Sequence, residues 1–556
     1  MHFVKKLNIL SLLIPGTKAE TIIHSSTNLN ISTLDLCIIV IYLTAVTGLG
    51  IRLSGRQTSP RDYFLGGKNL PWWAVCLSVV ATETSTLTFI SIPGLAYISN
   101  LGFLQIALGY IIGRIFISFA FLPAYYRGEL YTSYELLRIR FGPRMQSYAS
   151  FVFQMTRLLA DGVRLFATAI PLSIITGWNY PVCIIIIAIF TIIYTSIGGI
   201  RSVVWMDVLQ TFTYIAGAII AGIVILNRLP GGLSGVLQTA TPAGKFHIFT
   251  LGLDKSPGEF FKMNYTLFSG LIGGAFLSMA SHGTDQLIVQ RLLTCKNVRD
   301  SRKALITSGF LIFAQFALFL FLGIMLFVFY HGANMRPDEI LVGFIIKELP
   351  RGLAGLIVAA IFAAAMSTLS SSLNSLASSS MFDIFIPSWG KNITPKKQLV
   401  LSRLFTIFWG SVFIFGALLF KDKQNPVVEL GLAIASFTYG GLLGTFFLGT
   451  YSKTTSEDEA LVAMWSTIFF MTWLVGQQTI ILWVMYGLNL LVGFWIYLRI
   501  KPGINRKFLF VWLFLLTVLI FRIQSPGIAW PWFVFVGSIL TYLTGSILGR
   551  LRQRMN

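Results

Sequence analysis

Hydroxyl side chains are concentrated in one apolar stretch of the sequence, residues 362–380, where their oxygens could bind a monovalent cation. Four positions of this stretch lie at helical spacing and share one helix face: Ala364, Ser367, Thr368 and Ser371. A sodium ion needs several oxygen ligands, and hydroxyl and carbonyl oxygens supply them without the burial of a charged side chain. Small residues at this density also form close-packing faces between membrane helices. The residues alone leave both interpretations open, an ion site and a packing face.

A second polar segment interrupts the apolar run 71–98. Five hydroxyl residues and one carboxylate fall in its middle: Thr82, Glu83, Thr84, Ser85, Thr86 and Thr88. Hydroxyl side chains compete for backbone hydrogen bonds and disfavour a continuous helix. The later run 264–293 has a matching weakness, because glycines and polar residues interrupt it: Gly270, Gly273 and Gly274, then Ser281, His282 and Gly283. Interrupted helices at corresponding places in two halves of a chain are typical of an inverted-repeat transporter with a binding site at mid-membrane.

Ionisable residues inside apolar runs are candidates for function, because each costs at least about 2.5 kcal/mol at the middle of a bilayer. Seven stand in such positions: Glu83, Arg157, Asp161, Arg164, Asp207, Asp285 and Arg291. Asp161 follows Arg157 by four residues and precedes Arg164 by three, so one helix face carries these three charges. The cluster is either a structural ion-pair network or a guanidinium offered to an anionic solute, and the spacing does not decide between them.

The overall composition requires that most of the chain lie in a membrane. Of 556 residues, 55% are hydrophobic and only 11% are charged, whereas soluble domains carry about 25% charged residues. The formal net charge of +21 falls mainly between apolar runs, as the positive-inside rule requires, and does not indicate nucleic-acid binding. The 4 cysteines are not spaced like a disulfide framework or a zinc site, and the chain has no Walker sequence for an ATP-driven pump.

Apolar runs of about 20 residues, the length of one membrane crossing, predict about 15 transmembrane helices. The runs are 34–52, 71–98, 102–126, 145–176, 180–196, 203–228, 264–293, 303–331, 351–384, 396–420, 425–450, 459–475, 479–499, 507–523 and 528–549. Lysine and arginine cluster in alternate loops, which places the N-terminus outside and the C-terminus inside. Residues 1–33 are expected to form an extracellular lead. Its first 19 residues have the pattern of a weak signal peptide or form a disordered or interfacial lead.

Five ordered motifs resemble the sodium/solute symporter family over about residues 33–450. They are D-Y-F-L-G-G-K-N-L-P-W-W-A-V from Asp62, A-T-E-T-S-T-L-T-F-I-S-I-P-G from Ala81, Y-T-S-I-G-G-I-R-S-V-V-W-M-D-V-L-Q from Tyr194, G-T-D-Q-L-I-V-Q-R-L-L from Gly283 and A-A-M-S-T-L-S-S-S-L-N-S from Ala364. I-A-W-P-W from Ile528 extends the resemblance to the final run. The resemblance implies an all-α LeuT-type fold, which is an inverted repeat of five plus five helices.

The implied organisation divides the chain as follows: a pre-core helix 34–52, a first repeat 71–228, an extracellular loop 229–263, a second repeat 264–450 and four C-terminal accessory helices 459–549. The family pattern suggests one helix between the core and the last span, whereas the apolar runs predict three. Family motifs therefore give no guidance over residues 459–523.

The resemblance also implies the ion ligands. The family's characteristic sodium site corresponds here to three backbone carbonyls and two hydroxyls: Ala81, Thr84, Ala364, Ser367 and Thr368. Some members bind a second sodium ion, and the matching positions are Asp207, Ser367, Ser370 and Ser371. Asp207 could instead serve as a structural or gating carboxylate. Contacts to the solute are expected from both interrupted helices and from the charged cluster: Glu83, Ser85, Thr88, Arg157, Ser278 and Ser281.

These features predict a sodium-coupled symporter, not an enzyme, that imports a small polar solute across the plasma membrane by alternating access. A sugar, a sugar acid or another carboxylate fits the candidate residues. Ser281 stands where sugar-transporting relatives tend to carry a tyrosine gate, which argues against a simple hexose. The alternatives are proton coupling through Glu83 or Asp207 in the same fold, and a membrane-embedded transferase. The expected partners are sodium, the solute and the lipid bilayer, with no nucleic acid and no obligate protein partner.

Overall fold

Helices make up nearly all of the ordered structure. The computed structural model describes residues 32–390, 393–419, 427–475, 480–500, 502–522 and 527–555. Within these ranges there is no β-strand, only an isolated bridge between Leu70 and Cys295. The predicted all-α class is therefore confirmed. The predicted lead 1–33, including its signal-peptide-like part, lies outside the described residues up to position 31.

The described part of the first half of the chain, from residue 32 onward, forms eleven α-helices. They are α1 (Thr33–Leu53), α2 (Pro60–Leu65), α3 (Trp72–Glu83), α4 (Thr86–Ile98), α5 (Leu104–Ala120), α6 (Leu122–Tyr125), α7 (Tyr134–Arg140), α8 (Pro143–Thr176), α9 (Tyr180–Arg228), α10 (Gly232–Ala240) and α11 (Pro257–Phe260). A 3-10 turn, Gly66–Lys68, follows α2.

The second half begins with a π-helical turn, Ser269–Gly273, and contains a second one, Ser380–Phe385. Its α-helices are α12 (Gly274–Gly283), α13 (Gln286–Leu292), α14 (Val298–Phe329), α15 (Pro337–Glu348), α16 (Leu353–Ser379), α17 (Ile386–Trp389), α18 (Pro395–Leu419), α19 (Val427–Tyr451), α20 (Glu457–Val475), α21 (Ile480–Arg499), α22 (Ile504–Arg522) and α23 (Trp532–Met555).

Many of these helices are membrane helices. Among the described residues, 8 helices are long and apolar enough to cross a membrane, and the bent pair α3–α4 makes up to 9. Large apolar side chains are exposed on their outer faces, such as Phe212 and Ile223 on α9 and Phe408 on α18. Helices that are apolar both inside and outside are those whose outer faces contact lipid.

The predicted interruption of the run 71–98 is confirmed. α3 ends at Glu83, α4 begins at Thr86, and the two axes are bent by 64°. Ser85 starts α4 with a capping box, in which its hydroxyl accepts from the Thr88 amide and the Thr88 hydroxyl accepts from the Ser85 amide. Thr84 between them is extended. The cap provides hydrogen-bond acceptors for the first amides of α4, which the carbonyls of a preceding helical turn would otherwise provide. A new helix can therefore start here in a different direction.

The second predicted interruption is also present. α12 ends at Gly283, and Asp285 caps the start of α13 through a hydrogen bond from the Leu287 amide, 2.8 Å long. Elsewhere the hydrogen-bonded helix α9 covers two predicted runs, 180–196 and 203–228, and bends at Gly199. Gly199 has φ +56°, and a Cβ there would overlap the Tyr63 carbonyl. Glycine therefore permits both the bend and the close approach.

The hydroxyl-rich helix α16 lies at the centre of the molecule. Every side chain from position 357 to 379 is buried, and the helix packs against α1, α3, α8 and α9. Neighbouring helices supply partners for its hydroxyls: Ser372 donates to Asp161 at 2.6 Å, and Ser379 lies 2.6 Å from Ser150. The three helices predicted beyond the core are present as α20, α21 and α22, and α20 packs on α19 and α23.

Candidate functional site

A cavity lies beside the break between α3 and α4, where α8, α12 and α19 also approach. Of the six predicted solute contacts, five line this cavity: Glu83, Ser85, Thr88, Arg157 and Ser281. Ser278 is not among the lining residues, because its hydroxyl donates to the Tyr110 carbonyl at 3.1 Å and packs α12 against α5. Arg164 also lines the cavity. One wall therefore carries neutral hydroxyls and another carries guanidinium groups.

The break exposes backbone carbonyls at the end of α3. The amide of Ser85, which would close the next helical turn onto Ala81, lies 3.3 Å from the Thr88 hydroxyl instead and donates to it. The Thr84 hydroxyl donates to the Val80 carbonyl at 2.8 Å and accepts from Gln315 at 2.6 Å. Unwinding thus frees carbonyl oxygens, while the side chains around them are held in place.

α16 faces this break directly. Two contacts join them: the Thr86 hydroxyl donates to the Ile361 carbonyl at 3.1 Å, and the Thr82 and Ser371 hydroxyls lie 3.1 Å apart. Ser367 and Thr368 lie between these two contact points on α16. The structure therefore brings the predicted carbonyl segment and the predicted hydroxyls to the same helix–helix junction.

A buried charge cluster adjoins this junction. Asp207 accepts from Ser367 at 2.6 Å and from Ser78 at 2.5 Å, and its carboxylate pairs with Arg291 at 3.3 Å. Arg291 also donates to the Ser371 hydroxyl. Both charged side chains are completely buried. Of the predicted second sodium group, Asp207 and Ser367 are in direct contact, and Arg291 lies between Asp207 and Ser371.

Ser370, the fourth residue of that group, donates instead to the Ser367 carbonyl at 3.0 Å.

The predicted Arg157–Asp161–Arg164 contacts are present, and the structure adds partners to them. Asp161 lies 3.6 Å from Arg157 and 3.2 Å from Arg164. Arg157 further contacts Asp285 at 3.4 Å and donates to the Tyr439 hydroxyl at 2.7 Å, which in turn donates to Asp285 at 2.6 Å. Arg157 is thus neutralised from two sides, whereas Arg164 pairs with Asp161 and keeps 21% of its side chain exposed.

Two side chains that the sequence analysis did not place near Glu83, Arg114 and His282, lie beside it. Its carboxylate forms an ion pair with the buried Arg114, which also donates to Ser308 at 2.7 Å. His282 Nε2 lies 3.5 Å from Glu83 Oε2. Arg114 falls within the predicted run 102–126, so the rule that selected the other intramembrane charges would have found it. His282 and Tyr439 carry no comparable local signal, because their importance depends on residues far away in sequence.

Comparison with known proteins decides the family. The model of the sodium:solute symporter family matches residues 63–467, which is most of the chain. The chain belongs to the sodium:solute symporter family. This symporter is therefore an integral membrane protein that couples solute transport to sodium and is not an enzyme.

Similar proteins support the same conclusion. The symporter is 31% identical over 432 residues to the sodium/sialic acid symporter SiaT of Proteus mirabilis (strain HI4320), covering 76% of this chain and 86% of that protein. It is 30% identical over 468 residues to the sodium/sialic acid symporter NanT of Aliivibrio fischeri (strain ATCC 700601 / ES114), covering 82% and 90%. A solved structure of a Na+-coupled sialic acid symporter in a substrate-bound outward-open state superposes with a TM-score of 0.77 at 27% identity, covering 94% and 98%.

Proposed function

We propose that this symporter imports a carboxylated sugar-like solute, with sialic acid as the first candidate, by alternating access. The observation that carries the proposal is the cavity itself, in which Ser85, Thr88 and Ser281 offer hydroxyls and Arg164 offers a partly exposed guanidinium. A guanidinium binds a carboxylate through charge-assisted hydrogen bonds, and hydroxyls bind the polar groups of a sugar. The sialic acid symporters among its relatives support the same solute class.

The coupling ion is proposed to bind where the break meets α16. The proposed ligands are the carbonyls of three residues and the hydroxyls of two: Ala81, Thr84, Ala364, Ser367 and Thr368. Support comes from the freed carbonyl segment and from the hydroxyls that lie opposite it. Ser367 donates its hydrogen to Asp207 and Thr368 donates to the Ala364 carbonyl at 3.2 Å, so both oxygens keep lone pairs for a cation.

A second sodium ion is proposed at Asp207, Ser367, Ser370 and Ser371. In the conformation described, Arg291 supplies the positive charge that balances Asp207. We therefore infer that this site fills only when Arg291 withdraws from the carboxylate, because two cations at one buried carboxylate would repel each other at short range.

The finer architecture is likewise a proposal. About 15 crossings, with residues 71–228 and 264–450 as inverted halves, would place both interrupted helices at the same point of each half. The lysine- and arginine-rich loops favour an external N-terminus and an internal C-terminus. In this arrangement residues 34–52 precede the core, 229–263 are extracellular, and 459–549 flank the core on its C-terminal side.

Arg164→Gln tests whether Arg164 binds the carboxylate of the solute. Asp161 keeps Arg157 and Ser372 as partners, so the variant is expected to fold. We expect the KM for sialic acid to rise roughly tenfold to hundredfold, the size of one lost hydrogen bond to a charged group. Arg164→Lys, which keeps the charge, should recover part of the loss, and Arg299→Gln at an exposed position is the matched control. An unchanged KM in Arg164→Gln would refute carboxylate recognition by this residue.

A further inference from the structure

His282 has an unused ring nitrogen that faces the cavity. The residue is 3% exposed, lines the cavity, and its Nε2 has no hydrogen-bond partner among the described residues. A buried polar atom without a partner is costly and needs an explanation. Glu83 Oε2 lies 3.5 Å from this nitrogen, which is beyond ordinary hydrogen-bond length.

The neighbouring serine assigns the tautomer of this imidazole. Ser281 Oγ lies 2.9 Å from the Leu277 carbonyl, to which it can only donate. A hydroxyl has one hydrogen, so the Ser281 oxygen accepts in its other contact, which is with His282 Nδ1 at 2.8 Å. The hydrogen of the neutral ring is then on Nδ1, and Nε2 presents a lone pair.

Glu83 presents a second acceptor at the same place. Among the described residues, the carboxylate makes its ion pair with Arg114 and its approach to His282 through Oε2. Arg114 already balances the charge of Glu83. Two hydrogen-bond acceptors thus converge on the cavity with no hydrogen between them, and a cation is not needed to neutralise them.

We propose that His282 and Glu83 form a specificity subsite that binds a neutral hydrogen-bond donor of the solute, a hydroxyl or an amide N–H. The proposal rests on the proposed function and deepens it, because it assigns a second end to the solute site. Arg164 receives the carboxylate, and the His282–Glu83 pair selects for a donor elsewhere on the same molecule. A solute that lacks this donor would leave both acceptors desolvated and unpaired, which is the stronger source of discrimination.

The tautomer can be measured without any solute. In full-length protein labelled with 15N-histidine and held in sodium at neutral pH, the imidazole signal that disappears in His282→Gln belongs to His282. We expect it to show a protonated Nδ1 and an unprotonated Nε2. A protonated Nε2 would mean that His282 donates to Glu83 and that no acceptor pair exists, which overturns the proposal.

Transport kinetics provide the second arm. We expect His282→Leu to raise the KM for sialic acid about three- to tenfold, the effect of one lost hydrogen bond, with an unchanged maximal rate and sodium dependence. In a series of sialic acid analogues, each lacking one hydroxyl or the amide N–H, one analogue lacks the donor that His282 binds. For that analogue, His282→Leu should not raise the KM above the wild-type value. His282→Gln should recover affinity, because its amide oxygen can accept, and His247→Gln at an exposed loop position should behave as wild type.

The two possible failures can be told apart. Equal losses for every analogue, or no loss in His282→Leu, would overturn the subsite while wild-type uptake still supports the proposed function. Absence of sialic acid uptake in the wild type would instead refute the proposed solute, and the tautomer measurement would still decide whether the acceptor pair exists.

Discussion

A serine or threonine oxygen can donate one hydrogen bond and still offer its lone pairs to a cation. Ser367 and Thr368 are in this state, because each donates to a fixed acceptor, Asp207 and the Ala364 carbonyl respectively. Other hydroxyls of α16, such as Ser372 and Ser379, are bonded to neighbouring helices. The helix is therefore a packing face along part of its length and a candidate ion site at one junction.

Replacement of either proposed hydroxyl ligand should weaken sodium binding. A ligand that binds only the folded state stabilises it by an amount that grows with the logarithm of the ligand concentration once this exceeds Kd, so thermal unfolding of purified protein over a sodium series reports affinity. Ser367→Ala and Thr368→Ala are expected to lower the apparent sodium affinity at least about tenfold, as loss of groups around metal sites does.

Ser375→Ala is the matched control for these variants. Ser375 is buried on the same helix and donates to the Ser372 carbonyl at 3.1 Å, away from the break. Thr368→Ser should keep most of the sodium response, because it retains the hydroxyl. An unaltered response in both alanine variants would remove these residues from the site.

Sequence spacing could predict contacts within a helix but not those between distant helices. The contacts of Asp161 with Arg157 and Arg164 follow from helical periodicity, and the structure contains them. Asp285 and Tyr439 join the same cluster from other helices, and no local pattern connects them to α8. The partner of a buried charge is decided by tertiary packing, so its identity becomes visible only in the folded chain.

At the scale of elements, a helix break can be predicted where the chain provides a new start. Ser85 and Thr88 have the spacing of a capping box, and they form one in the structure. The bend of α9 at Gly199 is harder to predict, because glycine is common in membrane helices and only the approach of the Tyr63 carbonyl shows why it is required. Bends fixed by local caps are therefore easier to predict than bends fixed by tertiary contacts.

Gly323→Ala should destabilise the junction between α14 and α4. A Cβ at Gly323 would overlap the backbone of Pro93 in α4, and backbone atoms cannot move aside as a side-chain tip can. We expect a loss of about 1–3 kcal/mol in the free energy of unfolding, typical of overpacking, measured as a lower melting temperature. Gly48→Ala in α1, where nothing lies within 4 Å, is the control. Equal melting temperatures for the two variants would contradict this packing.

For the whole molecule, the number of sodium ions determines whether transport carries charge. A carboxylate moved with one sodium is electroneutral, and a tenfold sodium gradient then supports only about tenfold accumulation. With two sodium ions the complex carries one positive charge, and about 2.3 kcal/mol per 100 mV is added. With the same tenfold sodium gradient and a potential of about 100 mV, two ions could support a several-thousandfold accumulation of the solute.

The proposed second site therefore predicts electrogenic uptake. In proteoliposomes with a fixed sodium gradient, an inside-negative potassium diffusion potential should increase the initial rate and the final level of sialic acid uptake. Asp207→Asn should abolish this stimulation if it still folds, and its melting temperature checks that condition. Wild-type uptake that does not change with the membrane potential would indicate that one sodium ion accompanies each carboxylate, and would contradict the second sodium site.

The overall fold was accessible from the sequence because apolar runs and ordered motifs extend over much of the chain. The cavity was only partly accessible, since its walls come from helices separated by hundreds of residues. Glu83, Ser85 and Thr88 could be predicted from one unusual segment, whereas the relevance of His282 depends on its proximity to Glu83, which only the folded chain shows.

Sodium-driven accumulation of radiolabelled sialic acid in proteoliposomes containing the purified protein tests the account most directly. We predict uptake above the external concentration with an inward sodium gradient, collapse of that uptake when potassium replaces sodium, and no accumulation with a pH gradient alone. Accumulation driven by the pH gradient without sodium, or sialic acid uptake that is indifferent to sodium, would contradict sodium-coupled symport of this solute.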